Sequence, residues 1–175
     1  LNCNFGSGER SVGSEPQPTN KLLQPGETVL IDLFPNLGGY VADYTRNFVV
    51  GEPTDEQWAM HTVLEKALST AQGSLRPGVR ASEIDRLVRN VIEENGFGKY
   101  MHTHHSGHAF GLMVPEPPWI IAADHSIIRP GMVIAVEPGI YHPIHGGMKL
   151  EGNFIITEDG CQSLAGFPAT LISCK

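Results

Sequence analysis

The chain of 175 residues has the length of one domain around one core, and its 41% apolar and 18% charged residues exclude a disordered polymer. A formal net charge of −7, with no basic cluster to offset it, argues against a nucleic-acid partner. Apolar runs of only strand length predict no membrane span. Cys3, Cys161 and Cys174, far apart and without CxxC spacing, form neither a disulfide framework nor a thiolate zinc site, which favours a reducing cytoplasm.

Read along the chain, Asn4-Phe5-Gly6-Ser7-Gly8 is a strand running into a turn, with no earlier element to pair with. Together with Leu1 as first residue, this reads as a truncated or processed piece. Residues 14–26, rich in Ser, Pro and Asn, form a loop. Thr28–Leu33 and Val41–Val50 are predicted strands joined by a turn at Pro35–Gly39. Thr54 and Gln57 make a capping box for a helix with Trp58, Leu64, Ala67, Leu68 and Ala71 as its apolar face and Gly73 as its stop. After a Pro77-Gly78 turn, Ser82 with Asp85 caps a second helix. Ile84, Leu87, Val88, Val91 and Ile92 form its stripe, and Gly96 ends it. Short strands follow within 100–114, 132–137 and 148–157, so the domain is α+β.

An internal repeat is the most informative feature. Pro25-Gly26 precedes a five-residue strand and Asp32; Pro130-Gly131 precedes a five-residue strand and Glu137. Gly38-Gly39 stands three residues before Asp43, and Gly146-Gly147 three before Glu151. Asn47-Phe48-Val49-Val50 then matches Asn153-Phe154-Ile155-Ile156. Two hairpins of one design therefore present two acids each, which predicts a pseudo-symmetric domain with a site at the join.

Carboxylates at the ends of apolar strands are rarely buried unless paired or ligated, and four together repel unless some stay protonated. Two divalent cations remove that conflict. They would also activate a shared water as nucleophile. Five of the eight histidines fall between His102 and His125, which supplies imidazole to the same chemistry. Four acids and one imidazole are a hard, oxygen-rich set suited best to Mn²⁺, with Co²⁺, Fe²⁺ and Zn²⁺ as alternatives.

The segments Val29-Leu-Ile-Asp32, Tyr40-Val-Ala-Asp43-Tyr-Thr-Arg-Asn-Phe, His104-His-Ser-Gly-His108-Ala-Phe-Gly-Leu, Val136-Glu137-Pro-Gly-Ile-Tyr141 and Leu150-Glu151-Gly-Asn-Phe-Ile-Ile-Thr resemble those of the pita-bread metallopeptidases, nearest the proline-peptidase branch. The resemblance covers nearly the whole chain. It implies the pita-bread fold, with duplicated hairpins and helices on one side, in a single catalytic domain (1–175) that lacks its first helices and any N-terminal domain. It implies Asp32, Asp43, His108, Glu137 and Glu151 as ligands of two metals, with Asp43 and Glu151 bridging. His104 and Glu137 become the catalytic residues, and Thr45, Arg46 and Lys149 support the carboxylates. A small peptide or amide substrate and a homodimer of the full-length protein are implied as well.

Three positions depart from the family pattern. Pro115 stands where a histidine is usual, Glu15 falls at a second family histidine, and Lys149 replaces an arginine. Pro115 has no donor for a tetrahedral intermediate, so the sequence predicts weak or absent activity on ordinary Xaa-Pro dipeptides. His105, His142 and His145 are the candidates to fill that gap. His61 reads as surface or core filler, His102 and His125 as structural, Tyr141 as packing, and Pro117-Pro118 as a loop shaper or pocket wall. Competing readings are a same-fold enzyme with a changed substrate (amidinohydrolase, ectoine-type hydrolase or lyase) and a binding protein on this scaffold. The second usually loses metal ligands, and here all five are kept.

Overall fold

The computed structural model describes residues 2–13, 16–164 and 166–175. In chain order the strands and helices are β1 (Asn2–Ser7), β2 (Thr28–Phe34), β3 (Asn36–Leu37), β4 (Tyr40–Val41), β5 (Tyr44–Val50), α1 (Asp55–Ser74), α2 (Ala81–Glu94), β6 (Gly107–Ala109), β7 (Glu116–Trp119), β8 (Val133–Val136), β9 (Gly139–His142), β10 (Gly146–Lys149), β11 (Gly152–Ile156), β12 (Cys161–Ser163) and β13 (Ile172–Cys174). One sheet runs β1-β2-β5-β13 and the other β12-β11-β8-β6-β7; β9-β10 and β3-β4 are separate two-stranded pairs. Buried residues of α1 and α2, among them Met60, Leu64, Ile84 and Ile92, share one core with Ile134, Met148 and Phe154 of the strands.

The repeat is real in three dimensions. β2 pairs antiparallel with β5, and β8 with β11. Gly26 and Gly131 both adopt positive φ (85° and 83°), a conformation that costs glycine little. Their amides donate to matched carbonyls, Gly26 to Val50 at 2.7 Å and Gly131 to Ile156 at 2.9 Å. The halves are also cross-tied at their paired asparagines. Asn47 accepts from the Lys149 amide at 3.1 Å, and Asn153 donates to the Asp43 carbonyl.

Several boundaries differ from the sequence expectation. The predicted strand Val41–Val50 breaks at Ala42-Asp43, and 148–157 breaks at Leu150-Glu151, so each second carboxylate sits where a strand turns. Thr54 and Gln57 form the expected capping box, but Trp58 is 45% exposed and α1 runs through Gly73 to Ser74, drawn on by the buried Leu75. The second helix begins at Ala81, not after Ser82. The 124–126 segment accepts from the Ala81 and Ser82 amides, and Glu83 accepts from Arg80 N, so no Ser82 cap is needed. Within 100–114 only Gly107–Ala109 is a named strand. Pro117-Pro118 lies in β7, at the edge of its sheet, where missing amides break no ladder. β1 finds its partner downstream, in β2.

His61 is 1% exposed on α1, and burial, then the Arg46 charge, lowers its pKa from 6.5 to about 4. The folded state therefore resists a proton that the unfolded chain accepts. Its contribution is constant above pH 6.5 and falls as pH drops from 6.5 toward 4, by up to about 3 kcal/mol. Urea unfolding at pH 7 and pH 4.5 should show His61→Leu losing less stability on acidification than the parent chain.

Candidate metal centre

The two hairpins bring their acids to one buried place. Asp32, 1% exposed, lies inside β2, which continues to Phe34; Asp43, 3%, stands before β5; Glu137, 2%, follows β8; Glu151, 0%, precedes β11. Carboxylate oxygens of Asp32, Asp43 and Glu151 lie within 4.8 Å of one another. His108, on β6, joins both hairpins: its Nε2 lies 3.3 Å from Asp43 Oδ2 and 3.3 Å from Glu137 Oε1. Its Nδ1 lies 2.9 Å from the Ala109 carbonyl and donates to it, which leaves Nε2 as the group aimed at the acids.

The electrostatics reflect crowding. Burial raises the Asp43 pKa against the hydrogen bond from His108, and neighbouring acids add to the rise. Glu151 is driven well above the usual carboxylate range by burial and then by Asp43 and Glu137. Burial also pushes Glu137 upward, but Lys149, His105 and His108 outweigh it and hold it well below that range. Burial lowers His108, yet its hydrogen bonds to Asp43 and Glu137 prevail and take it to about 10. The Lys149 ammonium lies 2.9 Å from Asp32 Oδ2 and 2.8 Å from Glu137 Oε2.

The donor set fits divalent cations. Asp43 Oδ1 and Glu151 Oε1 are buried carboxylate oxygens with no hydrogen-bond partner, a costly state without a cation. His108 turns its second nitrogen to a carbonyl, as metal-bound histidines do.

Surrounding groups fix these side chains. Thr45 Oγ1 is 2.8 Å from Asp32 Oδ1 and 3.0 Å from Glu151 Oε2, so its one hydroxyl joins both hairpins. Arg46 acts on backbone rather than on carboxylates, donating to the carbonyls of Glu151 and Thr45 at 2.7 Å each. Asn4, which the sequence did not flag, faces Asp32 Oδ2 at 3.3 Å. The register that sets Asn4 opposite Asp32 is its only signal.

Helix α2 pins the histidine-bearing loop. Asp85, 1% exposed, accepts from Ser106 Oγ at 2.6 Å and from Arg89 Nε at 2.8 Å. Arg89 donates onward to the carbonyls of His102 and His104. His102 sits between Ser106 Oγ and the Gly139 backbone, and burial lowers its pKa to about 3.

A cavity of about 590 Å³ opens over these acids, lined by His104, His105, Val114 and Pro115 among others. His104 has both nitrogens engaged, Nδ1 with the His105 carbonyl at 2.6 Å and Nε2 with Tyr141 Oη at 2.8 Å; burial lowers its pKa to about 4. Tyr141 therefore serves more than packing. Pro115 forms cavity wall, and Glu15 lies outside the described residues. His125 is exposed and contacts Ser82 Oγ.

Fold and site together define a domain of the pita-bread type. Residues 2–158 match the pattern of Metallopeptidase family M24, and the chain belongs to that family. It is 38% identical over 166 residues to an Xaa-Pro dipeptidase of Pyrococcus horikoshii, a match covering 95% of this chain and 47% of that protein. A probable dipeptidase of Mycobacterium bovis is 36% identical over 168 residues, 95% of this chain and 44% of that one. Among solved structures, an X-Pro aminopeptidase from Thermotoga maritima superposes with TM-score 0.95 at 30% identity, covering 99% of this chain and 49% of that one. The prolidase of Pyrococcus horikoshii gives 0.94 at 37% identity, with 98% and 49% covered. The chain thus spans about half the length of these relatives. No helix among the described residues is long and apolar enough to cross a membrane.

Replacing Lys149 by Met leaves Asp32 and Glu137 buried without their ammonium partner. In chelator-treated protein this should cost about 3–5 kcal/mol in urea unfolding. Millimolar Mn²⁺ should raise the Tm of the parent chain and leave that of Asp43→Ala nearly unchanged.

Proposed function

We propose that this chain carries the catalytic centre of a hydrolase that uses two divalent cations, manganese foremost, to cleave Xaa-Pro dipeptides or a closely related small amide. The observation that carries the reading is the convergence of four buried carboxylates and the His108 Nε2, with an oxygen of Asp43 and one of Glu151 unpartnered. Asp32 would hold one cation, His108 and Glu137 the other, and Asp43 and Glu151 both. Bound there, the cations would supply Lewis acidity and a water of lowered pKa.

The chain's own groups do the rest. Thr45 and Arg46 keep Glu151 oriented through its carboxylate and its carbonyl. Glu137, with one oxygen against His105 and His108 and the other on Lys149, lines the cavity and would serve as proton acceptor. His104, tied to Tyr141, is placed to hold substrate at the cavity wall. Free Cys3, Cys161 and Cys174 suit a reducing cytoplasm. The homodimer expected of the full-length protein belongs to the same reading. Pro115 in the wall favours a second reading, in which a small amide other than an Xaa-Pro dipeptide is the preferred substrate.

The test is hydrolysis by the full-length protein of an Xaa-Pro dipeptide panel and a set of small amides, before and after chelation. Activity should vanish with chelator and return with Mn²⁺. His104→Ala should lower turnover by about 10²-fold or more while metal content stays at two equivalents. Metal-loaded protein inert on every peptide and amide would overturn the proposal.

A further inference from the structure

Pro115 lines the cavity wall where the family resemblance implies an imidazole, and the histidines of this chain differ sharply in whether they can replace it. His142 accepts from the Ile144 and His145 amides and packs on Tyr100 at 4.1 Å; His145 lines a separate hollow beside Pro25 and Glu27. His104 lines the cavity with both ring nitrogens already engaged.

His105 is different. It lines the same cavity as Pro115, its side chain is 27% exposed, and its buried Nδ1 has no hydrogen bond of acceptable geometry. That nitrogen stands 2.9 Å from Glu137 Oε1, the oxygen that itself lacks a well-directed donor. The ring is seated at 5.2 Å from Trp119 and 5.1 Å from His108, so packing from two sides defines its position. The Arg89 bond to the neighbouring His104 carbonyl anchors the backbone beneath it.

We propose that His105 is a catalytic residue of this chain, donating a hydrogen bond to the substrate carbonyl and to the oxyanion it becomes, in place of the imidazole that Pro115 removes. The inference rests on the hydrolase reading above. With Nδ1 turned to Glu137, the exposed part of the ring meets the cavity, where a donor stabilises charge that develops only as the carbonyl is attacked. With His105 in that role, the deficit that Pro115 alone predicts is made good from beside the Glu137 carboxylate.

The experiment uses full-length, Mn²⁺-loaded protein and a phosphinic Xaa-Pro analogue, whose tetrahedral anion mimics the attacked carbonyl; calorimetry reads binding and elemental analysis reads metal. His105→Ala should weaken the analogue by about 10–100-fold with two metal equivalents retained. Adding Pro115→His to His105→Ala should recover most of the loss. Unchanged analogue affinity in His105→Ala overturns the role, and so does loss of metal, which would make His105 a ligand or a support. If parent protein with two metals bound ignores the analogue, the hydrolase reading fails, and this inference with it.

Discussion

Four buried carboxylates, three with oxygens within 4.8 Å of one another and the fourth joined to them through His108 and Lys149, set the terms for everything around them. At about 4 Å and an effective dielectric near 20, one like-charge pair repels by about 4 kcal/mol, comparable with much of a domain's net stability. The protein meets this with fixed positive groups and protons. Lys149 lies against Asp32 and Glu137, His108 is held as a cation between Asp43 and Glu137, and Glu151 retains its proton well above its usual range. Each device is one that divalent cations would displace. The same groups that assemble the site without metal thus mark where the charge of a metal is wanted.

The scaffold supplies rigidity from outside the acid cluster. Asn47 and Asn153 tie each hairpin to backbone of the other, so neither acid pair shifts without its counterpart. Thr45 adds a direct link between Asp32 and Glu151. On the other side, Asp85 and Arg89 of α2 hold the 102–106 backbone through Ser106 and two carbonyls. Helix α2 thereby anchors the backbone that carries His104 and His105.

Much of this was legible in the sequence because the duplicated hairpins carry local signals that recur. Pro-Gly turns, five-residue apolar strands and terminal acids specify Asp32 and Glu137 without tertiary information. Gly-Gly spacing does the same for Asp43 and Glu151. What stayed hidden was long-range. Asp85 looked like a capping residue because a helix-start pattern is local, whereas its Ser106 and Arg89 partners depend on packing. The Ser82 cap failed because segment 124–126, distant in sequence, had already satisfied the first amides. Pro117-Pro118 read as loop because proline argues against a strand, and only the sheet order shows that β7 is an edge. Tyr141 read as packing until the fold set its hydroxyl on His104, and His105 was one of three candidate donors until the fold set it in the cavity lining.

The floor and the walls of that cavity answer to different constraints. On the floor, a change of any acid alters a charge balance involving Lys149, His108 and three other carboxylates, so substitutions there propagate. On the walls, Val114, Pro115, Phe34 and Val41 carry no charge, and exchanging one changes shape and donor supply while leaving the acids alone. Pro115 is a change of the second kind. It alters what the cavity offers a substrate, not what the floor offers a cation. His105 stands at the boundary, its ring in the wall and its Nδ1 against a floor carboxylate. A change at His105 therefore reaches both, altering the lining of the wall and the charge held by Glu137 beneath it.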